Sequence, residues 1–508
     1  MKPGRTDEPS GMPIRPAPST IIRVGVLASA VLSGFTAVPA AASDPPPQTI
    51  DASNVSNSFD VQPFARDSPL PAGLIDSDAC DGSGTPCGRP VVAPVRDVAC
   101  DAPDGSDGSF AEPFFLRYTA DYDDGFRIHP LDDSPFDLKI NGWLQFRYKN
   151  FDARTTGPFV DRTGTVVRDL TDRNAHDLER GRLIFSGHTL DPRLSYFLQL
   201  DADSDGGDNV ELLDYYTGWK FNDRVSVQLG RRKIPGSRLF LNSPTDTRMA
   251  DRSLATEFFR PGRTTGVHLI VEAGVLGRLH GMIGNNFRSV ATTGPTTDDQ
   301  FTYAIDQRYT LGDFGDPMVD FVGDDTWRMR LGQTLTIAPQ TDSTIGDPDD
   351  NEDFLRLADG TRPNDTGAFA PGVTVAAFDV LLYTVDVAAK YGGWSMDAEG
   401  YYRRLSNLVT TTGDELDAVD QTGYVVQGGR FLVPRRWDIN VRYSIARDDF
   451  GRGESYGIGT HWYPLDNDRM RFTFDATRIV DSPVTSTGAD LLVGDDGMLY
   501  RTQLAAEF

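Results

Sequence analysis

An alternation of apolar and polar residues runs through most of the chain and constrains its fold more than any other feature. Counted back in twos from Phe508, residues 508 to 498 are mostly apolar, while the interleaved residues are mostly polar. The stretch 437–445 repeats the pattern with a wholly apolar set between polar residues. A period of two places the two sets on opposite faces of a β-strand. About ten residues also suffice for a tilted strand to cross a bilayer.

The same pattern predicts sixteen strands, an even number, as single-chain bacterial barrels have. We expect them near 138–150, 177–189, 193–203, 211–221, 224–233, 264–274, 277–288, 301–310, 326–338, 373–391, 394–407, 421–432, 437–447, 454–463, 469–480 and 498–508. Every second connection is short, and the alternate connections are long, as in outer-membrane barrels. A soluble sandwich shares this period but seldom keeps so many ionised groups on one face. The pattern therefore predicts an all-β fold, a transmembrane antiparallel β-barrel over residues 126–508.

Composition and the amino-terminal region agree with an exported protein. The chain has 508 residues, 39% of them hydrophobic, and no apolar run long enough for a membrane-spanning helix. Arg23, an apolar core over 24–38 and small residues over 40–42 predict a signal peptide over residues 1–42. Residues 43–125 are rich in Pro, Asp, Ser and Gly, which predicts a disordered periplasmic arm. We therefore expect the protein in the outer membrane.

Charge and cysteine content narrow the possible partners. The net charge of −25 argues against nucleic-acid binding. The three cysteines are Cys80, Cys87 and Cys100, and an oxidising compartment permits one disulfide among them with one thiol left over. Their pairing remains open, as does a small cysteine-stapled module within the arm. No cysteine–histidine spacing indicates zinc.

The last strand ends on an aromatic residue at the carboxyl terminus. Such an ending resembles the closing strand of bacterial outer-membrane barrels, whose C-terminal signature is read by the barrel-assembly machinery. We therefore interpret Phe508 as an assembly signal, with membrane lipid and the assembly machinery as its partners.

Several segments resemble those of the phosphate-selective porin family, both in their residues and in their order along the chain. The similarity is dense from about residue 120 to 290. It rests on residues 122–127, 197–201, 210–212, 214–216, 229–230, 251–254, 261–263 and 266–267, and on Lys233, Pro235 and Phe259. The resemblance implies a homotrimer of sixteen-stranded monomers whose third loop folds inward to narrow the pore. It also implies basic residues at that constriction, which bind phosphate or polyphosphate in the best-known members.

Segment 231–263 is the candidate site for anions. It carries eight basic residues against three acidic ones, a local charge of +5 in a chain of −25. Guanidinium groups match phosphate geometry and stay charged, so rings of them select anions in pores. The candidates are Arg232, Lys233, Arg238, Arg248, Arg252, Arg260 and Arg263, with Arg252, Arg260 and Arg263 leading. A second set, inward by strand parity, comprises Arg180, Arg182, Arg328, Arg330, Arg442, Arg469 and Arg471.

Two alternatives stay open for these basic residues. They can pair with local acids or with an acidic wall opposite, or they can orient solutes in a general diffusion porin without binding anions. The family's lysine-rich constriction is reduced here to Lys233 alone. We therefore expect a channel for small anions, with phosphate or polyphosphate as candidate permeants and a general diffusion porin as the alternative.

Other motifs give no support for an enzyme or a metal site. Residues 201–206 resemble the start of a calcium loop, but Leu212 stands where the bidentate Glu is required. Residues 453–457 match the nucleophile-elbow pattern, but they lie in a strand and have no acid in the order that hydrolases need. The acidic stretch 342–359 is most simply an exposed loop. We expect no catalytic activity, no metal and no cofactor.

Overall fold

The computed structural model describes residues 118–122, 125–130, 135–203, 209–285, 287, 300–315, 318–342 and 355–508. The predicted signal peptide, the arm up to residue 117, the three cysteines and most of the acidic stretch 342–359 lie outside the described residues. The candidate calcium loop is described only at its first three positions. Among the described residues, no helix is long and apolar enough to cross a membrane.

Twenty strands account for nearly all of the described secondary structure. In chain order they are β1 Tyr118–Tyr122, β2 Phe126–Pro130, β3 Asp137–Ala153, β4 Gly157–Val160, β5 Val166–Leu170, β6 Arg173–Thr189, β7 Asp191–Asp203, β8 Asn209–Asn222, β9 Val225–Lys233, β10 Arg263–Glu272, β11 Arg278–Gly284, β12 Thr302–Leu311, β13 Arg328–Asp342, β14 Val375–Tyr391, β15 Trp394–Thr410, β16 Val419–Val433, β17 Trp437–Arg447, β18 Arg452–Trp462, β19 Met470–Val480 and β20 Gly497–Glu507.

Sixteen of these strands form one closed antiparallel barrel. They are β3 and β6–β20; β4 and β5, which lie between β3 and β6 in the chain, form a separate ribbon. Consecutive strands pair as neighbours, and β20 pairs with β3 from Gly497↔Ala153 to Glu507↔Trp143. Closure satisfies the backbone groups of every strand, which a bilayer demands because its core offers no water. The prediction of a sixteen-stranded antiparallel barrel is therefore confirmed.

The alternation predicted from sequence reappears as two chemically distinct faces of the wall. In β3, Leu144 and Phe146 are exposed on the outer face, whereas Gln145 and Arg147 between them are buried. In β17, Val441 is exposed and Arg442 is buried. The exposed apolar side chains form the surface that lipid covers, and the buried polar side chains point into the barrel.

A short hairpin at the amino-terminal end was not predicted. β1 pairs with β2, and β2 pairs with the first residues of β3, from Phe126↔Ile140 to Ile128↔Leu138. The predicted disordered arm reached residue 125, but Tyr118–Tyr122 form strand β1. Strands of five residues are too short for periodicity to reveal, and their partner edge on β3 exists only in the folded barrel.

The long connections contain short elements. A separate two-stranded ribbon pairs β4 with β5. Two α-helices, α1 Arg238–Leu241 and α2 Leu254–Phe259, lie between β9 and β10. Three 3-10 helices span Pro244–Asp246, Gly274–Leu276 and Thr487–Ala489.

Apolar side chains from these connections pack against one part of the barrel wall. Leu254 and Phe259 of α2 share one buried cluster with Phe378 and Leu405 of the wall and with Leu491 of the last connection. The rings of Phe259 and Tyr401 in this region stack with centroids 4.9 Å apart. Buried apolar contact of this kind holds the long connections in fixed positions.

Candidate functional site

The segment that joins β9 to β10, residues 234–262 (the loop segment), is anchored on strands far from its own. The amides of Arg238 and Leu239 donate to the Glu399 carboxylate of β15, at 2.8 and 2.9 Å. The amide of Ala250 donates to Asp475 of β19 at 2.7 Å, and that of Ala255 donates to Ser444 of β17 at 2.8 Å. The free amides at the starts of short helices need acceptors, and polar side chains of the wall supply several of them.

Arg248 is one of the strongest anchors of the loop segment. Its side chain is 1% exposed. Its guanidinium lies 2.6 Å from Asp397, donates to Ser395 at 2.8 Å and donates to the carbonyl of Met318 at 3.1 Å. Charge-assisted hydrogen bonds of this length are the stronger kind. The group is thus engaged by the protein itself.

Arg238 is anchored in the same way. It is 2% exposed, and its Nη2 lies 2.5 Å from Asp306 of β12. Its Nε lies 4.0 Å from Asp386 of β14. Both Arg238 and Arg248 stood among the candidate anion-binding residues. Their burial and ion pairs give them a structural explanation instead, which is the pairing alternative considered from the sequence.

A buried cluster of charged side chains joins the loop segment to strands β3 and β6 and to the last connection. Arg147 of β3 lies 3.0 Å from Glu179, 2.8 Å from Asp251 and 2.8 Å from Asp490. Arg180 of β6 lies 2.5 Å from Asp251. Burial alone would raise the pKa of Asp251, but Arg180 and Arg147 hold it well below its usual range. We call Arg147, Glu179, Arg180, Asp251 and Asp490 the Arg147 cluster.

Five more of the arginines predicted to line the wall also contact partners in the protein, among them Arg471, which donates to Thr247 at 3.4 Å. Arg182 lies 2.7 Å from Asp201. Arg328 pairs with Asp320 and with Asp324, the latter at 2.9 Å. Arg330 lies 3.9 Å from Asp386, and its guanidinium stacks 4.8 Å from the ring centroid of Phe314. Arg442 donates to the carbonyl of Asp251 at 2.6 Å.

Three cations surround one buried ring in the loop segment. Lys233, Arg252 and Arg260 lie 4.9, 5.3 and 5.1 Å from the ring centroid of Phe240. Lys233 donates to the carbonyl of Phe240 at 2.7 Å, and Arg252 donates to that of Asn242 at 3.2 Å. Cations over an aromatic face are attracted by the ring quadrupole. We call Lys233, Phe240, Arg252 and Arg260 the Phe240 cluster.

The basic side chains in and beside the Phe240 cluster differ in whether a carboxylate neutralises their charge. Arg260 lies 2.6 Å from Glu257, and Arg263 lies 2.9 Å from Asp214. Within the described part of the chain, the side chains of Lys233 and Arg252 form no ion pair, and their hydrogen bonds go to carbonyl oxygens. The backbone amide of Arg252 donates to Asp251 at 2.8 Å. The side chains of Lys233 and Arg252 are partly exposed. Lys233 and Arg252 are therefore the basic residues of the Phe240 cluster whose side chains have no ion-paired carboxylate in the described structure.

Arg232 lies beside this cluster. Its guanidinium stacks 5.1 Å from the ring centroid of Tyr216 and donates to Gln228. Of the seven candidates in segment 231–263, the structure brings Lys233, Arg252 and Arg260 around one ring. It pairs Arg238 and Arg248 with carboxylates of the wall.

Sequence reasoning identified the last connection as a long loop but assigned no contacts to it; we call residues 481–496 the terminal loop. Ser486 donates to Glu257 of the loop segment at 2.9 Å, and Asp490 belongs to the Arg147 cluster. Arg501 of β20 donates to the carbonyl of Ala489 at 3.0 Å. Arg147 stood on the polar face of its strand, so parity could have indicated it. No local pattern marked Asp490 as its partner.

Comparison with known proteins gives a family match over part of the chain. The family described as Phosphate-selective porin O and P matches residues 150–305. The resemblance seen in the sequence is confirmed. The matched residues include the whole loop segment and the Phe240 cluster. No curated protein sequence matches the chain.

Solved porin structures show limited overall similarity. The anion-selective porin from Comamonas acidovorans has a TM-score of 0.47 and 11% identity, covering 73% of this chain and 99% of that one. The outer membrane channel DcaP of Acinetobacter baumannii has a TM-score of 0.46 and 11% identity, covering 73% and 97%. OmpT of Vibrio cholerae has a TM-score of 0.41 and 12% identity, covering 74% and 99%.

The family match and the closed barrel together identify an outer-membrane channel of the porin type, not an enzyme. Among the described residues, there is also no group of three or more His, Cys, Asp or Glu side chains placed to hold a metal ion.

Proposed function

We propose that this porin-type channel passes small anions in preference to cations, with the Phe240 cluster as its selective element. The observation that carries the proposal is the pair of partly exposed cations, Lys233 and Arg252, without ion-paired carboxylates in the described structure. Charges on wide external loops are screened over about 8–10 Å at physiological ionic strength. Charges beside low-dielectric walls act on a passing ion more strongly.

The other basic candidates act indirectly in this proposal. Arg238 and Arg248 hold the loop segment against β12 and β15, so that the segment narrows the lumen and presents Arg252 to it beside Lys233 of β9. Arg260 and Arg263 lie near them but share their charge with Glu257 and Asp214. Phosphate is a candidate permeant because a guanidinium fork matches its oxygens.

The test is the reversal potential in a potassium chloride gradient across a planar bilayer. Neutralising the pair with Lys233→Gln and Arg252→Gln should lower the chloride-to-potassium permeability ratio about two- to tenfold, since field focusing at a narrow site is lost. Arg404→Gln is the matched control, because Arg404 is exposed beside buried Arg403 and pairs with exposed Asp420. It should leave the ratio unchanged.

Two results would decide between the alternatives. A ratio unmoved by both substitutions would refute the anion-selective cluster and favour the general diffusion porin. Block of the chloride current by added phosphate, weakened in the Arg252→Gln channel, would identify a phosphate-binding site; its absence would leave anion preference without one.

We also propose a homotrimer in the outer membrane, as the family resemblance implies. The proposal rests on that resemblance and on the apolar outer face, which accommodates both lipid and neighbouring copies. Light scattering of the detergent-extracted protein would test it by giving the mass of the protein component.

A further inference from the structure

A cavity lies between the barrel wall and the terminal loop, outside the Phe240 cluster. Its volume is about 230 Å³, and strands β3, β6 and β20 line it together with the terminal loop. Most of its lining surface is apolar, and Phe151, Ala175, Leu492 and Leu499 contribute to it. An engineered apolar cavity of about 150 Å³ is large enough to bind benzene. This cavity therefore has room for one six-membered ring with a small substituent.

Cationic side chains stand at this cavity. Lys149 and Arg173 line it, with Asp490 as the one lining carboxylate. The side chains of Lys149 and Arg173 are 18% and 26% exposed, whereas that of Asp490 is 2% exposed. A solute in the cavity thus meets the cations before it meets the carboxylate.

Lys149 lies between two carboxylates, 3.0 Å from Asp177 and 3.1 Å from Asp490, whereas Asp490 and Asp495 are each shared among several cations. Asp490 lies 2.8 Å from Arg147, 3.1 Å from Lys149 and 3.5 Å from Arg501. Asp495 lies 2.7 Å from Arg173 and also pairs with Arg168. Two guanidinium groups on one buried carboxylate leave a surplus of one positive charge. That surplus lies on the side of the cavity where Arg173 is exposed.

We propose that this cavity is a binding subsite for small monocyclic aromatic carboxylates. The ring would lie against Phe151, Leu492 and Leu499, and the carboxylate would face Arg173 and Lys149. An aromatic ring gains from burial in an apolar cavity.

Both terminal nitrogens of Arg173 already donate to Asp495, at 2.8 and 2.7 Å. The bound carboxylate would therefore be attracted by the positive charge of Arg173 and Arg168 that Asp495 leaves uncompensated, not by a free guanidinium fork. The inference rests on the proposed function to the extent that the solute must enter the channel. It adds a solute class recognised by the ring as well as by charge.

Benzoate is the probe, and acetate is the matched anion without a ring. Saturation-transfer NMR on the detergent-purified barrel should show ring signals for benzoate, and benzoate should block the chloride current where acetate does not. Ala175→Leu fills the cavity and should raise the half-blocking concentration about tenfold by occlusion. Ala376→Leu, the same substitution at an exposed position of β14, is the control.

Further variants keep the proposal testable if Ala175→Leu fails to fold. Thr487→Leu fills the cavity from the terminal loop and changes no residue of the barrel wall, and it should have the same effect. Arg173→Gln should weaken benzoate block up to about fivefold, the range for a partly exposed charge. Equal block by benzoate and acetate, or benzoate block unchanged in both filling variants, would overturn the subsite.

The outcome is separable from that of the proposed function. Cation selectivity in the potassium chloride gradient would refute anion preference at the Phe240 cluster. A benzoate NMR signal that disappears in Thr487→Leu would still support the subsite in that case. Anion selectivity with no benzoate signal would leave the channel and remove the subsite.

Discussion

Asp397→Ala should release the loop segment from the wall without opening the barrel. Asp397 of β15 accepts from Arg248 at 2.6 Å and from Gln427 at 2.6 Å. The substitution leaves the Arg248 guanidinium buried without its carboxylate for as long as the loop segment stays in place. Removing one partner of a buried ion pair costs about 3–5 kcal/mol.

This free-energy cost destabilises only the state in which the loop segment is packed against the wall. When the segment detaches, the Arg248 guanidinium is hydrated again and the cost disappears. Local opening should therefore become more frequent by a factor of about 10² to several times 10³, at one decade per 1.4 kcal/mol. Hydrogen exchange followed by mass spectrometry measures the frequency of local opening. The amide of Ala250, which donates to Asp475 at 2.7 Å, should exchange faster by that factor, while amides in β17 keep their protection.

An exposed ion pair provides the control for this experiment. Arg404 lies 3.2 Å from Asp420, and both side chains are nearly half exposed. Asp420→Ala should change exchange less than about fivefold, since exposed pairs contribute at most about 1 kcal/mol. Combining Arg248→Met with Asp397→Leu should restore most of the protection, because neither buried charge remains. Unchanged exchange at Ala250 in Asp397→Ala would refute the anchoring role of the pair.

Two further predictions concern assembly and pH. The amide and carbonyl of Phe508 form two backbone hydrogen bonds with Gly142, of 2.9 and 3.0 Å, and deleting Phe508 removes both. The amount of folded barrel, seen as the heat-modifiable band on unheated gels, should therefore decrease. Normal assembly of the truncated chain would contradict the role of Phe508 as an assembly signal. Burial raises the pKa of Asp359 in an external connection. The folded state then binds protons more tightly than the unfolded state, so exchange protection of residues 355–361 should rise as pH falls through the raised pKa. Asp359→Asn should abolish that dependence, and a pH effect that persists in this variant would exclude Asp359 as its cause.

Much of the fold could be predicted because the barrel repeats one local rule. Most strands alternate apolar and polar side chains, because the bilayer favours apolar side chains on the outer face regardless of sequence context. The observed β17, Trp437–Arg447, has the predicted bounds, and β14 and β19 differ from prediction by two residues or fewer at each end. The hairpin β1–β2 escaped prediction because its strands are short and its pairing partner is the first part of β3.

Less of the candidate site than of the fold could be predicted from the sequence. Sequence located the basic segment 231–263, since an excess of charge over a short stretch is visible in one dimension. It could not separate Arg248 from Arg252, which are four residues apart and chemically identical. The first meets Asp397, Ser395 and a carbonyl of another connection, whereas the second meets carbonyls and the ring of Phe240.

The sequence by itself determined the barrel, its two faces and the place of the basic residues along the chain. Only the tertiary structure decided which of those charges are compensated. Compensation depends on partners such as Asp397 for Arg248 and Asp490 for Arg147, which lie 149 and 343 residues away. Coulomb interaction falls with distance in space, not along the chain, so the charge available to a solute is a property of the folded barrel.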